Sequence, residues 1–268
     1  MSAASKAKRT MKRARTALRF EQIARARRLP VEADTVLYES FAGSGVLDNP
    51  EAIFREILAS PDLAHLRHVW ALDKSSAHDA VRREFQSDRR VRFVERESAD
   101  YWKALSTSGT LVNNATFPVQ FGKRPGQVYL NTWHGTPLKA MGYDMPDGAR
   151  ESANTIRNFV QADYLLAQNA FMAEQMYGRA YKLDGVFRGT VIREGYRGST
   201  ASGSRPTTSC ERAMLSTPAA WASAAAASCC TRRPGAATPS AIRPTTSKPS
   251  CERSPICSSA SATSTSCC

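Results

Sequence analysis

Short segments rich in β-branched and aromatic residues alternate with helical segments from residue 35 to residue 169. A strand followed by a helix and then by another strand favours a mainly parallel sheet with helices on both of its faces. We therefore predict an α/β fold, in which ligands bind beyond the carboxyl ends of the strands. The predicted strands are residues 35–41, 68–72, 91–95, 110–114, 127–133 and 164–169, and helices are predicted at about 77–87, 98–107, 148–161 and 170–177.

The segment DNPEAIFREILAS, at residues 48–60, predicts a further helix directly after the first strand. Asn49 is expected to cap this helix, because its short side chain can accept a hydrogen bond from the first turn, and Pro50 suits that turn. Helical spacing predicts one apolar face, which consists of Ile53, Phe54, Ile57 and Leu58.

Composition divides the chain into a basic leader (1–29), a globular domain (30–196) and a tail (197–268) rich in Ala, Ser, Thr, Pro, Arg and Cys. The tail offers few large apolar side chains to offset chain entropy, so we expect it to be disordered. It contains all seven cysteines, but their spacing does not match a zinc site and there is no histidine near them. We therefore expect no metal site and no cofactor.

The leader carries ten Lys and Arg residues against the single acidic residue Glu21, and the whole chain has a formal net charge of +13. Such a segment suits an anionic membrane surface, a phosphate polymer or nucleic acid, and a solvated N-terminus is the plain alternative. No recognition motif for nucleic acid is present, so we expect no nucleic-acid partner. No apolar run approaches the roughly 20 residues of a spanning helix.

The segment HGTPLK, at residues 134–139, follows the predicted strand 127–133. At a strand end His134 could accept a proton from an attacking hydroxyl, since the pKa of imidazole lies near neutrality. Gly135 allows close approach of the backbone to a ligand, Thr136 offers a hydroxyl, and Lys139 could neutralise a phosphate oxygen. From these residues alone, a histidine with a purely structural role is the commoner explanation.

The surrounding sequence resembles the CDP-glycerol glycerophosphotransferases, the family of the teichoic-acid primases and polymerases. The segment NTWHGTPLKAMGYD (131–144) is similar to the signature of that family. Other segments match its landmarks in the same order, and the similarity covers about residues 30–196. These segments are VLYESFAGSGVLDNPEAIFREI, LVNNATFP, KRPGQVYLNTWHG, ADYLLAQNAFMAEQM and GTVIREGY.

This resemblance implies a GT-B-like fold, of which the globular domain would be the Rossmann-like N-terminal half. It also implies transfer of glycerol phosphate from CDP-glycerol to a lipid-linked polyol-phosphate acceptor, with His134 as the catalytic base. Gly135, Thr136 and Lys139 would then contact the substrate. Members of the family act at the cytoplasmic face of the cell membrane, which makes the leader a candidate membrane-surface helix. The sequence leaves open the acceptor polymer and the choice between CDP-glycerol and CDP-ribitol.

The resemblance stops at Tyr196. The family continues there with Pro-Arg-x-Asp and later with a strand close to LYAPTWR, whereas this chain continues with RGSTASGS. One nucleotide restored after the Tyr196 codon would allow Pro-Arg-Ile-Asp from Arg197 onward and VLLYAPTWR in place of SCCTRRPGA (228–236). Codon degeneracy makes each match permissive, but both landmarks return in order from the same shift.

We therefore expect residues 197–268 to be a frameshifted version of the nucleotide-binding half, and the chain to be inactive. The alternative for this segment is a different, genuinely disordered tail. At the level of function, the alternative to a transferase is a non-catalytic module that binds a membrane or the acceptor.

Overall fold

One parallel sheet of seven strands forms the centre of the computed structural model, which describes residues 3–193. The predicted α/β class is confirmed, and each of the six predicted strands is present. The seventh, β7, was not predicted because its short sequence is only half apolar. The strands are β1 Glu32–Glu39, β2 Arg67–Leu72, β3 Val91–Glu95, β4 Ser108–Asn113, β5 Val128–Asn131, β6 Tyr164–Ala167 and β7 Thr190–Arg193.

The strand order is β3-β2-β1-β4-β5-β6-β7, which contains the Rossmann order 3-2-1-4-5-6. The first strand, β1, lies near the middle of the sheet. Strands β2 and β3 are added on one side of it, and β4 to β7 follow on the other side. The register between β1 and β4 pairs Val36 with Thr110 and Tyr38 with Val112. The crevice between the carboxyl ends of β1 and β4 is therefore the topological switch point, where folds of this class bind ligands.

Each predicted helix has a counterpart at the same place in the chain, but the boundaries do not all agree. The predicted helix 148–161 is interrupted at Ser152, and a π-helix occupies most of the predicted segment 170–177 and continues beyond it. The bounds are α1 Ala3–Ala26, α2 Asp48–Ala59, α3 Asp79–Glu84, α4 Ala99–Thr107, α5 Gly148–Glu151, α6 Ala153–Gln161 and the π-helix Met172–Ala180.

The predicted capping role of Asn49 is wrong. Helix α2 already begins at Asp48, and the preceding Leu47 makes no side-chain cap. Asn49 therefore lies inside the first turn, where its side chain is buried rather than aimed at the free backbone amides. The predicted apolar face is confirmed, because Ile53, Phe54 and Ile57 are buried against the sheet and the partly buried Leu58 packs beside them.

Alternate residues of the strands build a core on each side of the sheet. On the side covered by α2, Tyr38 of β1 and Trp70 of β2 pack with Phe54. On the other side, Leu37 of β1 belongs to a second cluster that includes Tyr101 of α4. Burial on both faces explains why the strands are nearly continuous apolar runs.

The basic leader forms α1, whose C-terminal part packs against α4 through the buried Ile23 and Ala26. Arg19 forms an ion pair with Glu97 just before α4. No helix within residues 3–193 is long and apolar enough to cross a membrane. The predictions of a disordered tail and of a frameshift after Tyr196 concern residues outside the described range.

Candidate active site

Four neighbouring strands end at the same edge of the sheet and carry the residues of the candidate site. Phe41 follows β1, Asn114 follows β4, His134 follows β5 and Gln168 follows β6. Because all four strands are parallel and adjacent, these residues converge although they are far apart in sequence. The predicted location beyond the carboxyl ends of the strands holds for His134.

His134 is solvent-exposed, but its ring is flanked by two aromatic side chains. The ring of Trp133 stacks on it with centroids 4.3 Å apart, and the ring of Phe41 lies 5.6 Å away. Partial loss of water lowers the pKa of His134, and the nearby carboxylate of Asp48 opposes that shift, as does a hydrogen bond between the ring and its own backbone. The imidazole is therefore neutral at pH 7 and able to accept a proton.

Asp48 is held in place by the residue that follows β4. The side-chain amide of Asn114 donates a hydrogen bond to Oδ2 of Asp48 at 2.7 Å. The Oδ1 atom of Asn114 accepts a hydrogen bond from the backbone N–H of Phe41 at 2.8 Å. Asn114 thus joins the ends of β1 and β4 and fixes the carboxylate that acts on His134.

Gly135 and Thr136 face the end of β6. The Thr136 hydroxyl donates to Oε1 of Gln168 at 3.2 Å and accepts from the Asn169 amide at 2.8 Å. Gly135 has a φ of +133°, and a Cβ built there would lie 4.0 Å from Nε2 of Gln168. That Nε2 is buried and makes no hydrogen bond within residues 3–193.

Several non-glycine residues at this edge have left-handed backbone conformations, among them Phe41, Asp48 and Trp133. Their φ values are 44° at Phe41, 63° at Asp48 and 49° at Trp133. Such conformations cost energy and occur mainly at sites where the surrounding structure fixes a functional geometry. Here they turn the chain after β1 and β5, where the rings of Phe41 and Trp133 both lie against the ring of His134.

Lys139 lies farther along the same loop. No helix starts at Pro137, so Lys139 is not in a first helical turn, and the loop ends in a short 3-10 turn at Gly142–Asp144. Its side chain is exposed and lines a groove with the π-helix. The structure brings Gly135 and Thr136 next to His134 and places Lys139 at the adjoining groove.

Other charged or titratable groups near this edge are already engaged. The buried Glu39 accepts hydrogen bonds from Tyr101 at 2.7 Å and from Arg96 at 3.3 Å, and burial raises its pKa against the opposing effect of Arg96. His78 is buried, and its Nε2 lies 2.7 Å from Oδ1 of Asp73. No group of three or more His, Cys, Asp or Glu side chains in the described part of the chain could hold a metal ion.

A sequence model of the family described as CDP-Glycerol:Poly(glycerophosphate) glycerophosphotransferase matches residues 21–196. The chain belongs to this family. The match includes every residue of the candidate site and begins within α1, upstream of the predicted domain start at residue 30.

Relatives and solved structures agree with this membership. The chain is 30% identical over 180 residues to the teichoic acid poly(glycerol phosphate) polymerase of Bacillus subtilis strain 168, covering 64% of this chain and 22% of that protein. It is 28% identical over 169 residues to the teichoic acid glycerol-phosphate transferase of Staphylococcus aureus strain NCTC 8325, covering 60% of this chain and 40% of that protein.

A structure of the wall teichoic acid polymerase TagF superposes with a TM-score of 0.53 at 22% identity, over 73% of this chain and 48% of that one. A TagF variant soaked with CDPG gives a TM-score of 0.56 at 21% identity, over 73% of this chain and 48% of that one. These likenesses support the predicted fold. The chain spans less than half of the length of each of these proteins.

Several site residues were not predicted from the sequence, namely Phe41, Asn114, Gln168 and Asn169. Each directly follows a predicted strand or lies at its end, so the rule that ligands bind at carboxyl strand ends was the available signal. Asp48 lies within the family-like segment VLYESFAGSGVLDNPEAIFREI, but nothing in that segment singles it out as a site residue.

Proposed function

We propose that residues 30–196 are the acceptor-binding half of a glycerophosphotransferase. The enzyme would move glycerol phosphate from CDP-glycerol to a lipid-linked polyol-phosphate acceptor during synthesis of teichoic acid or a related cell-wall polymer. The observation that carries this proposal is the accessible imidazole of His134 at the carboxyl edge of the sheet, where the carboxylate of Asp48 acts on it. Family membership supplies the reaction class.

In this mechanism His134 takes the proton of the acceptor's terminal hydroxyl as its oxygen attacks the β-phosphate of CDP-glycerol. A new P–O bond forms to the acceptor, and the bond between the β-phosphate and CMP breaks. The Asp48 carboxylate stabilises the imidazolium that results, which is the role of the third group in nucleophile–base–carboxylate arrangements. Asn114 acts as a positioning residue because it holds Asp48.

The residues after His134 would stabilise the phosphoryl group in the transition state of its transfer. Gly135 allows close approach, and the Thr136 hydroxyl, which donates to Oε1 of Gln168 in the free protein, would redirect its proton to a phosphoryl oxygen. Lys139 supplies a cation for a phosphate oxygen. Preorganised donors of this kind account for much of the catalysis of phosphoryl transfer.

In its present frame the chain is proposed to be inactive toward CDP-glycerol, since residues 197–268 do not carry the landmarks of the donor-binding half. The test compares release of CMP by the 268-residue chain with release by a version in which one nucleotide is inserted after the Tyr196 codon. We expect release only from the second protein. Resequencing the gene across codons 190–240 establishes which frame the source DNA encodes.

Within the frame-restored protein, His134→Gln is expected to lower kcat by about 10²–10⁴-fold, the usual contribution of a general base. His65→Gln is the matched control, because His65 is exposed and lies before β2, at the opposite edge of the sheet. The transferase proposal fails if the frame-restored protein releases no CMP. The inactivity proposal fails if the 268-residue chain releases CMP and loses that activity on His134→Ala.

A second candidate function is binding to an anionic membrane surface without catalysis. This binding would attach the protein peripherally at the cytoplasmic face of the membrane. The observation that favours it is α1, where Lys8, Arg9, Arg13 and Arg15 are exposed together with Met11 and Leu18. Sedimentation with anionic liposomes, lost on deletion of residues 1–18, without CMP release would support this function. Retention of binding after the deletion would contradict it.

A further inference from the structure

A groove beside the His134 loop contains more binding groups than the transfer step uses. It lies between residues 137–144 and the π-helix and has a volume of about 390 Å³, within the roughly 300–1,000 Å³ typical of small-molecule sites. Only Lys139 of its lining enters the chemistry above. The lining combines two cations, one carboxylate and apolar side chains: Lys139, Arg179, Asp144, Met141 and Met176.

The charged groups of this groove are not paired with one another. Within residues 3–193, Lys139, Asp144 and Arg179 form no ion pair or side-chain hydrogen bond, and all three are exposed. Glu174, on the same π-helix as Arg179, does form an ion pair, with Arg193 at 3.1 Å. The charges that face the groove are therefore available to a ligand.

Gly142 brings the loop into direct backbone contact with the π-helix, and Gly148 packs in turn on Gly142. Gly142 has a φ of +59°, and a Cβ there would lie 2.3 Å from the carbonyl oxygen of Ala180, at the end of the π-helix. A Cβ at Gly148 would lie 2.0 Å from the carbonyl oxygen of Gly142. Direct backbone contact of this kind sets the width of the groove before a ligand arrives, which lowers the entropic cost of binding.

We infer that this groove binds a polyol-phosphate unit of the acceptor, next to the hydroxyl that reacts; this inference rests on the proposed function. Lys139 and Arg179 contact the phosphate oxygens, and Asp144 accepts hydrogen bonds from polyol hydroxyls. The apolar part of the lining, which includes the partly buried Met141, contacts the methylene groups. The groove begins at Pro137 in the His134 loop, so an occupied groove brings the end of the acceptor to the base.

The direct test is calorimetric titration of the purified 268-residue chain with a glycerol-phosphate dimer and, separately, with inorganic phosphate. Arg179→Met is expected to weaken binding of the dimer by roughly 10-fold to 100-fold, as the loss of one charge-assisted contact predicts. Asp144→Asn is expected to weaken binding of the glycerol-phosphate dimer and to leave binding of inorganic phosphate unchanged. The matched control is Arg89→Met, because Arg89 is exposed and lies before β3, at the opposite edge of the sheet.

Equal losses in Arg179→Met and Arg89→Met would overturn the inference, since they would indicate a general attraction of anions. An unchanged affinity for the dimer in both Arg179→Met and Asp144→Asn would also overturn it. In the frame-restored protein, Arg179→Met should raise KM for the acceptor with little change in kcat. If His134→Gln abolishes transfer but Arg179→Met leaves KM for the acceptor unaltered, the proposed function stands. The inference that the groove binds the acceptor is then rejected.

Discussion

His68 and His134 occupy regions of this molecule that use a histidine in different ways. His68 lies in β2 with its side chain fully buried, and its Nδ1 is 3.2 Å from the Tyr38 hydroxyl. Burial lowers its pKa to about 4, and nearby Arg90 adds to the shift. His134 lies in a loop, is exposed and has a pKa lowered by partial loss of water. Both rings are neutral at pH 7, but only one of them can meet a substrate.

The difference lies in the backbone as much as in burial. Around His68 the chain is regular strand and helix, and the neighbouring rings of Phe54 and Trp70 fill the space between them. Around His134 the chain leaves its strands through left-handed residues such as Trp133. Side chains on the regular strands and helices are therefore buried in the core. At the irregular strand ends, polar side chains stay accessible to solvent.

The largest expected effect is a difference in unfolding free energy between two Phe→Ala variants. Phe54→Ala should lower the free energy of unfolding by about 3–5 kcal/mol, because a fully buried ring in the aromatic cluster is replaced by a cavity. Phe41→Ala, at a side chain that is 38% exposed beside His134, should cost under about 1 kcal/mol. Urea denaturation measures both. Similar losses would contradict the division between a packing region and a site region.

The next effect is a dependence of stability on pH that originates at His68. The pKa of His68 is about 4 in the folded chain and about 6.5 in the unfolded chain. As pH falls, the unfolded chain binds a proton first, so the contribution of neutral His68 is full above pH 6.5 and is lost by pH 4. The loss should approach about 3 kcal/mol.

Urea midpoints measured between pH 7 and pH 4 check this prediction, and NMR titration of the ring gives its pKa directly. In His68→Gln the part of the pH dependence that belongs to this residue should disappear. An unchanged slope in that variant would show that other groups produce it.

The smallest effect compares two alanines. Ala42 has a φ of 57° in the exposed turn after β1, so Ala42→Gly should stabilise the fold by up to about 1 kcal/mol through relief of backbone strain. Ala52→Gly, within α2, should destabilise it by about 1 kcal/mol. Thermal unfolding of the two variants should therefore shift in opposite directions. Shifts of the same sign would show that the strain at Ala42 is absent in solution.

The sheet could be predicted because its strands are apolar runs separated by amphipathic helices. The edge strand β7 could not, since the half-exposed Thr190–Arg193 buries too little to leave an apolar pattern. The break at Ser152 and the entry of α2 at Asp48 depend on local backbone geometry. A pattern of apolar residues does not encode that geometry.

The site divides in the same way. His134, Gly135 and Thr136 are contiguous, so a motif was sufficient to select them. Asn114 and Gln168 lie at the same sheet edge as His134 only because β4, β5 and β6 are adjacent and parallel. A local sequence pattern does not reveal which strands are adjacent. It also does not predict the left-handed conformations of Phe41 and Trp133, because these residue types rarely adopt them.

The strand order also affects how the chain folds as it is synthesised. The ribosome produces β1, β2 and β3 first, and these can pair with one another at once. One edge of β1, a strand buried at the centre of the finished sheet, has no partner until β4 has emerged. Unpaired edges of this kind promote association between chains. Translation that pauses before residue 108 should therefore favour aggregation of nascent chains more than a pause after residue 131, when β4 and β5 already cover that edge.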